Sequence, residues 1–547
     1  MPARLIADLQ YMRSALGEAF MAQLTYLGIF RGAPHSAAPV LVESGGRRTV
    51  IINDPDAEAA RALPADVATI RYGRYFTWNA NPVEPAPDFA EAVRQVAKGG
   101  ALACDAHLPQ SRYEALSASG SISLERPSTI PTVHVYRKSL AEIEAQWAAT
   151  RASDCVPLKP YLAGFPHARA LAEALDRPFE GFMRLEKLCH LSGLDALHVT
   201  SPYEVELFTG LPDAMAEAHG ITAVYIAGDD HATICAAKPI VRADFVPHGE
   251  ARALSRLLAD LGAVGAQKNE MPAALWQPLA AAGVALVEGD AVLRRWQDRR
   301  AGEDFGYFVF AANAVIEGFA AAEAFFARAK GAHLTERDLA AAYRDGVYRF
   351  RERIGFKGHY SPYFEIVHSG ARTPLPATAA DYPVSHEDLT IAFDMGIVVR
   401  DSAGCARAVS DIARTICATP RLADARDRLR RALVEDLIPR IRPGLTGEQI
   451  HAIGVDCLRP LEPMLRKAGL LPEGKGVADY RRDCGHAIHR QTVSSIYFVP
   501  GNRETIEEGM LGCVEYVWPI GDILIGVEEG YLVTREATLP FTREPAE

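Results

Sequence analysis

The spacing of apolar residues in the first half of the chain predicts two similar α/β units. Two short apolar runs, PVLVES (39–44) and RRTVIIN (47–53), have the length and β-branched content of buried strands. In the second unit, the apolar positions of EGFMRLEKLCHLSG recur at helical spacing, and a turn leads into the strand LDALHVTS. TAVYIAG and ATICAAK follow as further predicted strands. The order of helices and strands therefore repeats.

This repeat predicts an internal duplication with two domain boundaries. Each unit ends where a charged helix begins, in VYRKSLAEIEAQWAATRA for the first and LRRWQDRRAGEDFGYF for the second. Pro160, Gly164 and Pro166 interrupt the pattern between the two units. We therefore predict a first domain at 1–165 and a second domain at 166–300.

The remaining residues, 301–547, predict a third domain built from two αβ halves. A long apolar stretch at 305–329 is interrupted by one asparagine and two glutamates, which favours a buried helix over a membrane span. Thr335 and Thr446 each stand ahead of an amphipathic helix and are predicted N-caps. Strand-rich sequence follows both helices, so the two halves are predicted to be related by pseudo-symmetry.

Composition narrows the class of protein. The 547 residues carry a formal net charge of −11, which argues against a nucleic-acid partner or an anionic membrane. Nine cysteines occur without a CxxC pair, so neither a disulfide framework nor a thiolate zinc site is indicated. The first twenty residues lack the apolar core of a signal peptide. We expect a cytoplasmic protein with no nucleic-acid and no membrane partner.

Five residues in the last third of the chain form a candidate metal centre. Each lies in a short motif: FDMG, SDIARTI, CGHAIH, GMLGCVEY and GVEEGYLVT. Four carboxylates and one imidazole are an oxygen-rich ligand set that suits Mn, Fe, Co or Zn. Two such ions can share a bridging water, lower its pKa and polarise a scissile carbonyl. The five residues are Asp394, Asp411, His486, Glu515 and Glu528.

The alternative is that these acids are ordinary surface charges, and their neighbours argue against it. Asp394 lies within TIAFDMGIVV and Glu515 within LGCVEYVW, both apolar strand sequences. A buried carboxylate without a cation or hydrogen bonds costs free energy, whereas a carboxylate bound to a metal ion is compensated.

In this order, the motifs resemble those of the pita-bread metallopeptidase superfamily, which includes aminopeptidase P, prolidase and creatinase. Asp394 matches the aspartate of its Asp-aliphatic-Gly motif, Asp411 that of Ser-Asp-x-x-Arg-Thr, and His486 the histidine of Gly-His. Glu515 follows Gly-Met and Glu528 precedes LVT, as the last two ligands of the family do. The SPYEVELFTG region is similar to the creatinase-type N-terminal domain.

The resemblance implies the α/β (α+β) fold class, with two creatinase-type domains ahead of a pita-bread catalytic domain, as in three-domain aminopeptidase P. It implies two divalent transition-metal ions on the five ligands. It also implies a hydrolase in which a metal-bridged hydroxide attacks a small peptide or amide while Glu515 or Glu528 relays a proton. A homodimer is a further implication of the three-domain form.

The chain departs from the peptidases around the substrate. The two histidines that flank the scissile bond in these enzymes have no counterpart, since the segment 373–383 offers none and Val493 stands at the other position. Gly526 replaces the arginine that is common two residues before the last glutamate. Losing one such oxyanion-stabilising donor costs about 2.7–4 kcal/mol of the barrier. These changes bring proline-peptide cleavage into question.

The spacing of the two aspartates also departs from the family. Asp394 and Asp411 are seventeen positions apart (411 − 394), farther than in the peptidases, so the hairpin between them is predicted to be longer. Asp401 in this insertion is either a further ligand or a charge at a loop tip, and we favour the loop tip.

Other side chains near the motifs are candidates for the missing roles. His489, three residues after His486, is the preferred substitute and joins Glu515 and Glu528 as a candidate catalytic residue. His368 and His386 flank the region of the first missing histidine, and each has an ordinary structural role as its alternative. The cluster Tyr480, Arg481 and Arg482 either lines a pocket for an anionic substrate or is solvated.

Three functions remain open from the sequence. The first is a hydrolase of the Xaa-Pro aminopeptidase and prolidase type, acting on a short peptide or amide. The second is a divergent member that performs hydrolase, lyase or oxidative chemistry on another small molecule with the same metal centre. The third is a non-catalytic binding protein with the pita-bread shape. Retention of all five ligands argues against the third.

Overall fold

The architecture was determined from a computed structural model of the full chain. The structure describes residues 2–24, 38–72, 88–125, 129–177, 180–299, 301–329, 333–373, 378–490 and 493–544.

The first domain is a six-stranded sheet with helices on both faces. Val40 and Val42 point into one apolar cluster and Leu41 into the other, because successive side chains of a strand alternate. The two strands predicted at 39–44 and 47–53 are confirmed, as β2 (Val40–Ser44) and β3 (Arg47–Asn53). The strands are β1 (Ala3–Ile6), β2 (Val40–Ser44), β3 (Arg47–Asn53), β4 (Val67–Tyr72), β5 (Leu102–Cys104) and β6 (Ile122–Leu124), in the order β4-β3-β2-β1-β5-β6. The helices are Leu9–Leu16, Glu18–Met21, Asp54–Ala62 (3-10), Phe89–Ala97 and Gln110–Ser119.

The second domain is an eight-stranded mixed sheet. Its strands are β7 (Thr132–Ser139), β8 (Ala196–Val199), β9 (Ile221–Ile226), β10 (His231–Ala236), β11 (Val246–Pro247), β12 (Arg252–Ala253), β13 (Val264–Ala266) and β14 (Leu286–Glu288). The order is β11-β7-β10-β9-β8-β13-β14, with β12 also pairing with β7. Its helices are Leu140–Asp154, Gly181–Leu191, Pro202–Thr209, Asp213–His219, Leu254–Leu258, Ala273–Ala281 and Asp290–Gln297.

The strand β7 belongs to the second sheet, although it lies before the domain boundary predicted at 165. β7 pairs antiparallel with β10, so the sequence around Tyr136 belongs to the second sheet and not to the first. The charged residues Arg137 and Lys138, which we took as a helix start, lie in this strand, and the helix begins at Leu140. Charge alone does not distinguish a strand position from the first turn of a helix.

Two short helices around the boundary predicted at 165 pack on the third domain. The short helices Leu158–Leu162 and Ala168–Leu175 contribute apolar side chains to the same core as the helix Ala301–Arg328. Part of the segment around the predicted boundary therefore completes the third domain.

The helix Ala301–Arg328 is the centre of the third domain. Of the described helices, one segment, Gly302–Arg328, is long and apolar enough to cross a membrane, and 83% of its most apolar window is buried inside the protein. It packs against the helix Glu336–Ile354, with Gly318 facing Gly346 so closely that a Cβ on Gly346 would lie 2.7 Å from the Gly318 Cα. The predicted buried helix is confirmed.

Two sheets of the third domain face each other. The first is β16 (His359–Ser369), β18 (Thr390–Arg400) and β19 (Ala406–Val409), with β20 (Ile412–Cys417) also paired to β18, and β15 (Leu334–Thr335) pairs with β17 (Pro383–Val384) beside it. The second is β22 (Val493–Tyr497), β21 (Gly485–Ile488), β23 (Leu511–Ile520), β24 (Ile523–Val533) and β25 (Thr538–Pro540), in that order. The remaining helical segments are Gly370–Arg372, Pro420–Arg431, Ala432–Leu437, Ile438–Arg440, Gly447–Leu458, Arg459–Leu461, Glu462–Lys467 and Val477–Asp479.

Equivalent helices of the two halves begin in the same way. Thr335 and Asp338 form a reciprocal capping box, and Thr446 and Gln449 form another. Both predicted N-caps are confirmed. Each cap fixes the point at which its helix begins.

Candidate metal centre

The first sheet brings the two aspartates together. Asp394 lies in the middle of β18, where it pairs with Ala413 of β20. Asp411 stands immediately before β20, two residues from Ala413, so it reaches the same end of the pair. The seventeen positions that separate them in sequence are taken up by the hairpin through β19.

The second sheet carries the other three ligands on one face. Glu515 of β23 lies directly opposite Glu528 of β24, and His486 of β21 lies opposite Cys513 of β23. Cys513 and Glu515 are two residues apart on one strand, so their side chains point to the same side of the sheet. The three ligand side chains are therefore neighbours before the sheets meet.

Gly485 shows why a glycine precedes the metal-centre histidine. Its φ is +122°, and a Cβ at this position would collide with the carbonyl oxygen of Cys513. The close approach of β21 to β23 thus requires a residue without a side chain.

The five residues converge where the two sheets meet. Asp411, His486 and Glu528 each offer a ligand atom, and these atoms all lie within 4.8 Å of one another. His486 Nε2 is 3.5 Å from Asp411 Oδ2, and the Ala413 N–H donates to Glu528 Oε2 at 2.8 Å. Asp394 is close enough to Asp411 and Glu515 for their charges to act on one another.

Burial and mutual repulsion dominate the electrostatics of the cluster. Burial, and after it the charge of Asp411, raises the pKa of Asp394 and of Glu528 well above their usual range. Burial, and after it the charge of Asp483, does the same to the pKa of Glu515. Burial lowers the pKa of His486, but hydrogen bonding and the charge of Asp411 outweigh it, so this pKa is raised. These carboxylates lack a compensating positive charge of equal size.

The donor set fits divalent transition-metal ions. Within the described residues, the buried oxygens Asp394 Oδ1 and Glu528 Oε1 receive no hydrogen bond, although such atoms in protein interiors are nearly always paired. Four carboxylates and one imidazole suit Mn, Fe, Co or Zn. A cation between the sheets would satisfy both orphaned oxygens and relieve the repulsion.

Two charged residues beside the cluster were underestimated from the sequence. Asp483 shares a hydrogen bond with Glu515, and the guanidinium of Arg482 opposes the rise in the pKa of both Asp394 and Glu515. Arg482 was considered as a pocket residue, but Asp483 was missed. Its position three residues before His486 was the available signal.

The neighbouring members of the proposed pocket have different roles. Tyr480 is fully buried, donates to the Asp483 carbonyl and stacks on Trp518, so it belongs to the core. Arg481 is exposed and donates to backbone carbonyls. Arg482 is thus the member of this trio that lies at the metal centre.

His489 lies in cationic surroundings. Burial, and after it the charges of Arg490 and Arg294, lowers the pKa of His489 to about 3, so its imidazole is neutral at physiological pH. The carboxylates of the centre are not among the charges that set this pKa. Its catalytic role stays a prediction.

The other two candidate histidines differ in burial, and the positions of the two missing histidines are only partly described. His368 is buried on β16, and His386 is exposed and stacks on Phe326 with ring centroids 4.0 Å apart. Within the segment 373–383, residues 374–377 lie outside the described residues. Val493 begins β22, and its side chain likewise lies outside the described part of the structure.

Gly526 occupies a crowded position between the sheets. Its N–H donates to Thr415 Oγ1 at 2.8 Å, and the same hydroxyl donates to the Gly526 carbonyl at 3.1 Å. A Cβ on Gly526 would lie 3.2 Å from the Ala413 Cβ. The strand β20 therefore lies close to the position from which the family's arginine side chain would start.

Asp401 lies in the hairpin loop between β18 and β19, as the loop-tip prediction has it, but its charge is buried. It is 1% exposed, lies 3.1 Å from Arg407, and accepts hydrogen bonds from the N–H groups of Ala403 and Cys405. The charge is buried because the second domain packs on this loop, where Thr150 donates to Asp401 Oδ2.

Comparison with known proteins agrees with this arrangement. Residues 311–535 match the model of metallopeptidase family M24. No curated protein matches the chain.

Several solved structures share the fold at low sequence identity. Prolidase from Pyrococcus horikoshii OT3 is 16% identical, with 68% of this chain and 99% of that chain covered and a TM-score of 0.50. Xaa-Pro dipeptidase from Bacillus anthracis is 17% identical, with 67% and 98% covered and a TM-score of 0.50. A dipeptidase from Pyrococcus horikoshii OT3 is 18% identical, with 67% and 99% covered and a TM-score of 0.50. About a third of this chain has no counterpart in these structures.

Residues 311–535 of the third domain thus match the model of metallopeptidase family M24, and the chain shares its fold with the prolidase and dipeptidase structures.

Proposed function

We propose that this protein is a metal-dependent hydrolase that cleaves an amide bond in a small peptide or a related small molecule, with two divalent transition-metal ions as cofactor. One observation carries the proposal: ligand atoms of Asp411, His486 and Glu528 converge within 4.8 Å, and Asp394 Oδ1 and Glu528 Oε1 receive no hydrogen bond from the described residues. Such a cluster is costly without cations, so a purely structural role does not explain it.

The five residues would divide the work of holding the ions and moving a proton. The Ala413 N–H donates to Glu528 Oε2, so Oε1 would be available to hold an ion. Bound divalent ions lower the pKa of a water molecule and polarise a scissile carbonyl. A hydrogen bond joins Glu515 and Asp483, so a proton held on Glu515 has a second carboxyl oxygen within reach. We assign the proton relay to Glu515 for this reason.

A non-peptide small molecule is the second candidate substrate. Gly526 supplies no side chain where the peptidases have an arginine, and Arg482 places a cation beside Asp394 and Glu515 instead. An altered set of substrate-binding groups around a retained metal centre favours an altered substrate, because such groups determine specificity more than metal affinity does.

The test combines metal analysis with turnover assays. Purified protein loaded with Mn²⁺ or Co²⁺ is expected to bind one or two ions and to hydrolyse Xaa-Pro dipeptides or tripeptides. Glu528→Gln is the inactive control. Metal binding without cleavage of any proline peptide would leave the second candidate, and a chain that binds none of Mn, Fe, Co or Zn would overturn both.

A further inference from the structure

The lengthened hairpin between Asp394 and Asp411 docks onto the second domain. Arg400 forms a two-pronged ion pair with Asp213, with both nitrogen–oxygen distances at 3.0 Å. The Ser402 N–H donates to Asp154 Oδ2 at 2.9 Å. Residues that separate the two metal-centre aspartates thus end in contacts with another domain.

A single carboxylate of the second domain reaches two ligand-bearing elements at once. Glu206, 1% exposed on the helix Pro202–Thr209, accepts from Arg400 Nη1 at 3.3 Å and from the Ala406 N–H at 3.0 Å. The same carboxylate accepts from Arg490 Nη2 at 2.6 Å, and this guanidinium also donates to the Tyr203 carbonyl. One side chain therefore holds the hairpin on one side and the segment after β21 on the other.

These anchor points are close to the ligands along stiff strands. Arg400 ends the strand that carries Asp394, and Ala406 begins the strand that leads to Asp411. Arg490 follows His486 by four positions, just beyond the end of β21. A displacement of Glu206 is transmitted along paired backbone to ligands from both sheets.

We propose that Glu206 is a positioning residue for the metal centre, which makes the second domain part of the catalytic unit. This inference rests on the proposed metal-dependent function. Ligand side chains must be held within about 0.5 Å of their working geometry by the groups that support them. Glu206 supplies that support by fixing the spacing between the aspartate hairpin and the histidine strand.

The experiment compares two buried glutamates that both join the second domain to the third. Glu206→Gln removes the charge that binds Arg400 and Arg490. Glu303→Gln is the matched control, since Glu303 is 3% exposed and its carboxylate accepts from the Gly181 N–H at 3.0 Å, a contact that involves neither the hairpin nor β21. The full-length apo proteins are titrated with Co²⁺, and affinity, the visible Co²⁺ absorption spectrum and the apo melting temperature are measured.

We expect Glu206→Gln to weaken Co²⁺ binding by about 10- to 100-fold, the range found for residues that support metal ligands, and to alter the spectrum. Glu303→Gln is expected to lower the melting temperature while keeping wild-type affinity and spectrum. Equal affinity and an unchanged spectrum in Glu206→Gln would overturn the inference. A wild-type protein that binds no Co²⁺ would instead overturn the proposed function.

A third variant covers the case in which Glu206→Gln does not fold. Arg400→Lys changes a side chain that is 25% exposed and keeps its charge while losing the two-pronged geometry. A smaller loss of Co²⁺ affinity in the same direction is expected, and wild-type affinity in this variant would also count against the inference.

Discussion

Glu515 and Glu528 face each other across two paired strands, an arrangement that is unfavourable for like charges. Each is buried, and the pKa of each is raised well above its usual range by burial first and neighbouring acids second. A bound cation stabilises buried carboxylates of this kind, and removal of the cation destabilises them. The stability of the protein is therefore expected to depend on metal.

Metal addition is expected to stabilise the wild-type protein in the manner of a ligand that binds only the folded state. At a free Mn²⁺ or Co²⁺ concentration of about 100 times Kd, the free energy of unfolding should rise by about 2.7 kcal/mol. Glu528→Gln should reduce this gain, because it removes one ligand charge. Glu473→Gln, at an exposed position, is the control and should match the wild type in urea denaturation with and without metal.

Asp298 provides a prediction for the pH dependence of stability. It is 3% exposed between the second and third domains, and burial, opposed by a hydrogen bond with Ser494, raises its pKa to about 7. Because the unfolded value is about 3.9, the folded state binds more protons between pH 4 and 7. The stability from this group is present below pH 4 and is lost as the pH rises to 7.

Asp298→Asn should therefore flatten the decline in stability between pH 4 and 7, by on the order of 2–4 kcal/mol across the window. Thermal melts at several pH values measure it, with the exposed Asp260→Asn as the comparison. A variant whose stability falls with pH as steeply as that of the wild type would contradict the assignment.

At the scale of elements, the caps fix where two helices of the third domain begin, and the hairpin connects the strand of Asp394 to the strand that leads to Asp411. The capping boxes at Thr335 and Thr446 stand at equivalent points of the two halves. The hairpin from Arg400 to Ala406 is tied to the second domain by ion pairs and backbone hydrogen bonds. Local capping thus acts on the helices, whereas contacts with the second domain act on the strands of the hairpin.

Removal of either cap is expected to have a similar and moderate cost. Thr335→Ala and Thr446→Ala should each lower the free energy of unfolding by about 1 kcal/mol, because one backbone N–H at the helix start loses its acceptor. Thr446→Ser, which keeps the hydroxyl, should recover most of the loss in urea denaturation. A cost below about 0.3 kcal/mol for both alanine variants would show that the caps contribute little.

At the scale of the whole molecule, the two N-terminal domains have unequal relations to the metal centre. The first domain contacts the second through the Gln110 N–H, which donates to the Met271 carbonyl, and through the ion pair between Lys268 and Glu114. The second domain holds the metal-centre hairpin through Glu206 and Asp213. Homodimerisation and a cytoplasmic location stay predictions.

Truncation should separate these roles. A chain that begins at residue 129 is expected to keep Co²⁺ affinity within about threefold of the full chain, because the anchors of the hairpin remain. A chain that begins at residue 301 should fail to fold or to bind Co²⁺, since it loses Glu206 and the core helices at 158–162 and 168–175. Circular dichroism and metal titration distinguish the outcomes.

Much of the candidate site could be predicted because its signals are local. Asp394 and Glu515 are acids inside apolar strands, and Gly485 precedes the histidine because the close approach of β21 and β23 excludes a side chain. The membership of β7 and the burial of Asp401 could not be predicted in this way. Both depend on partners more than ninety positions away in sequence, such as β10 for β7 and Thr150 for Asp401.

Neighbouring positions in the sequence predict several strands, both helix caps and the five candidate ligands, because periodicity, capping residues and short motifs are local properties. The contact of Asp483 with Glu515, the arginines around His489 and the contacts of Glu206 with the hairpin arise only when the chain is folded. These facts depend on how the domains pack, and packing places residues together according to shape and charge compensation across the whole chain. The candidate ligand set can thus be predicted from the sequence, whereas the contacts that support it depend on how the domains assemble.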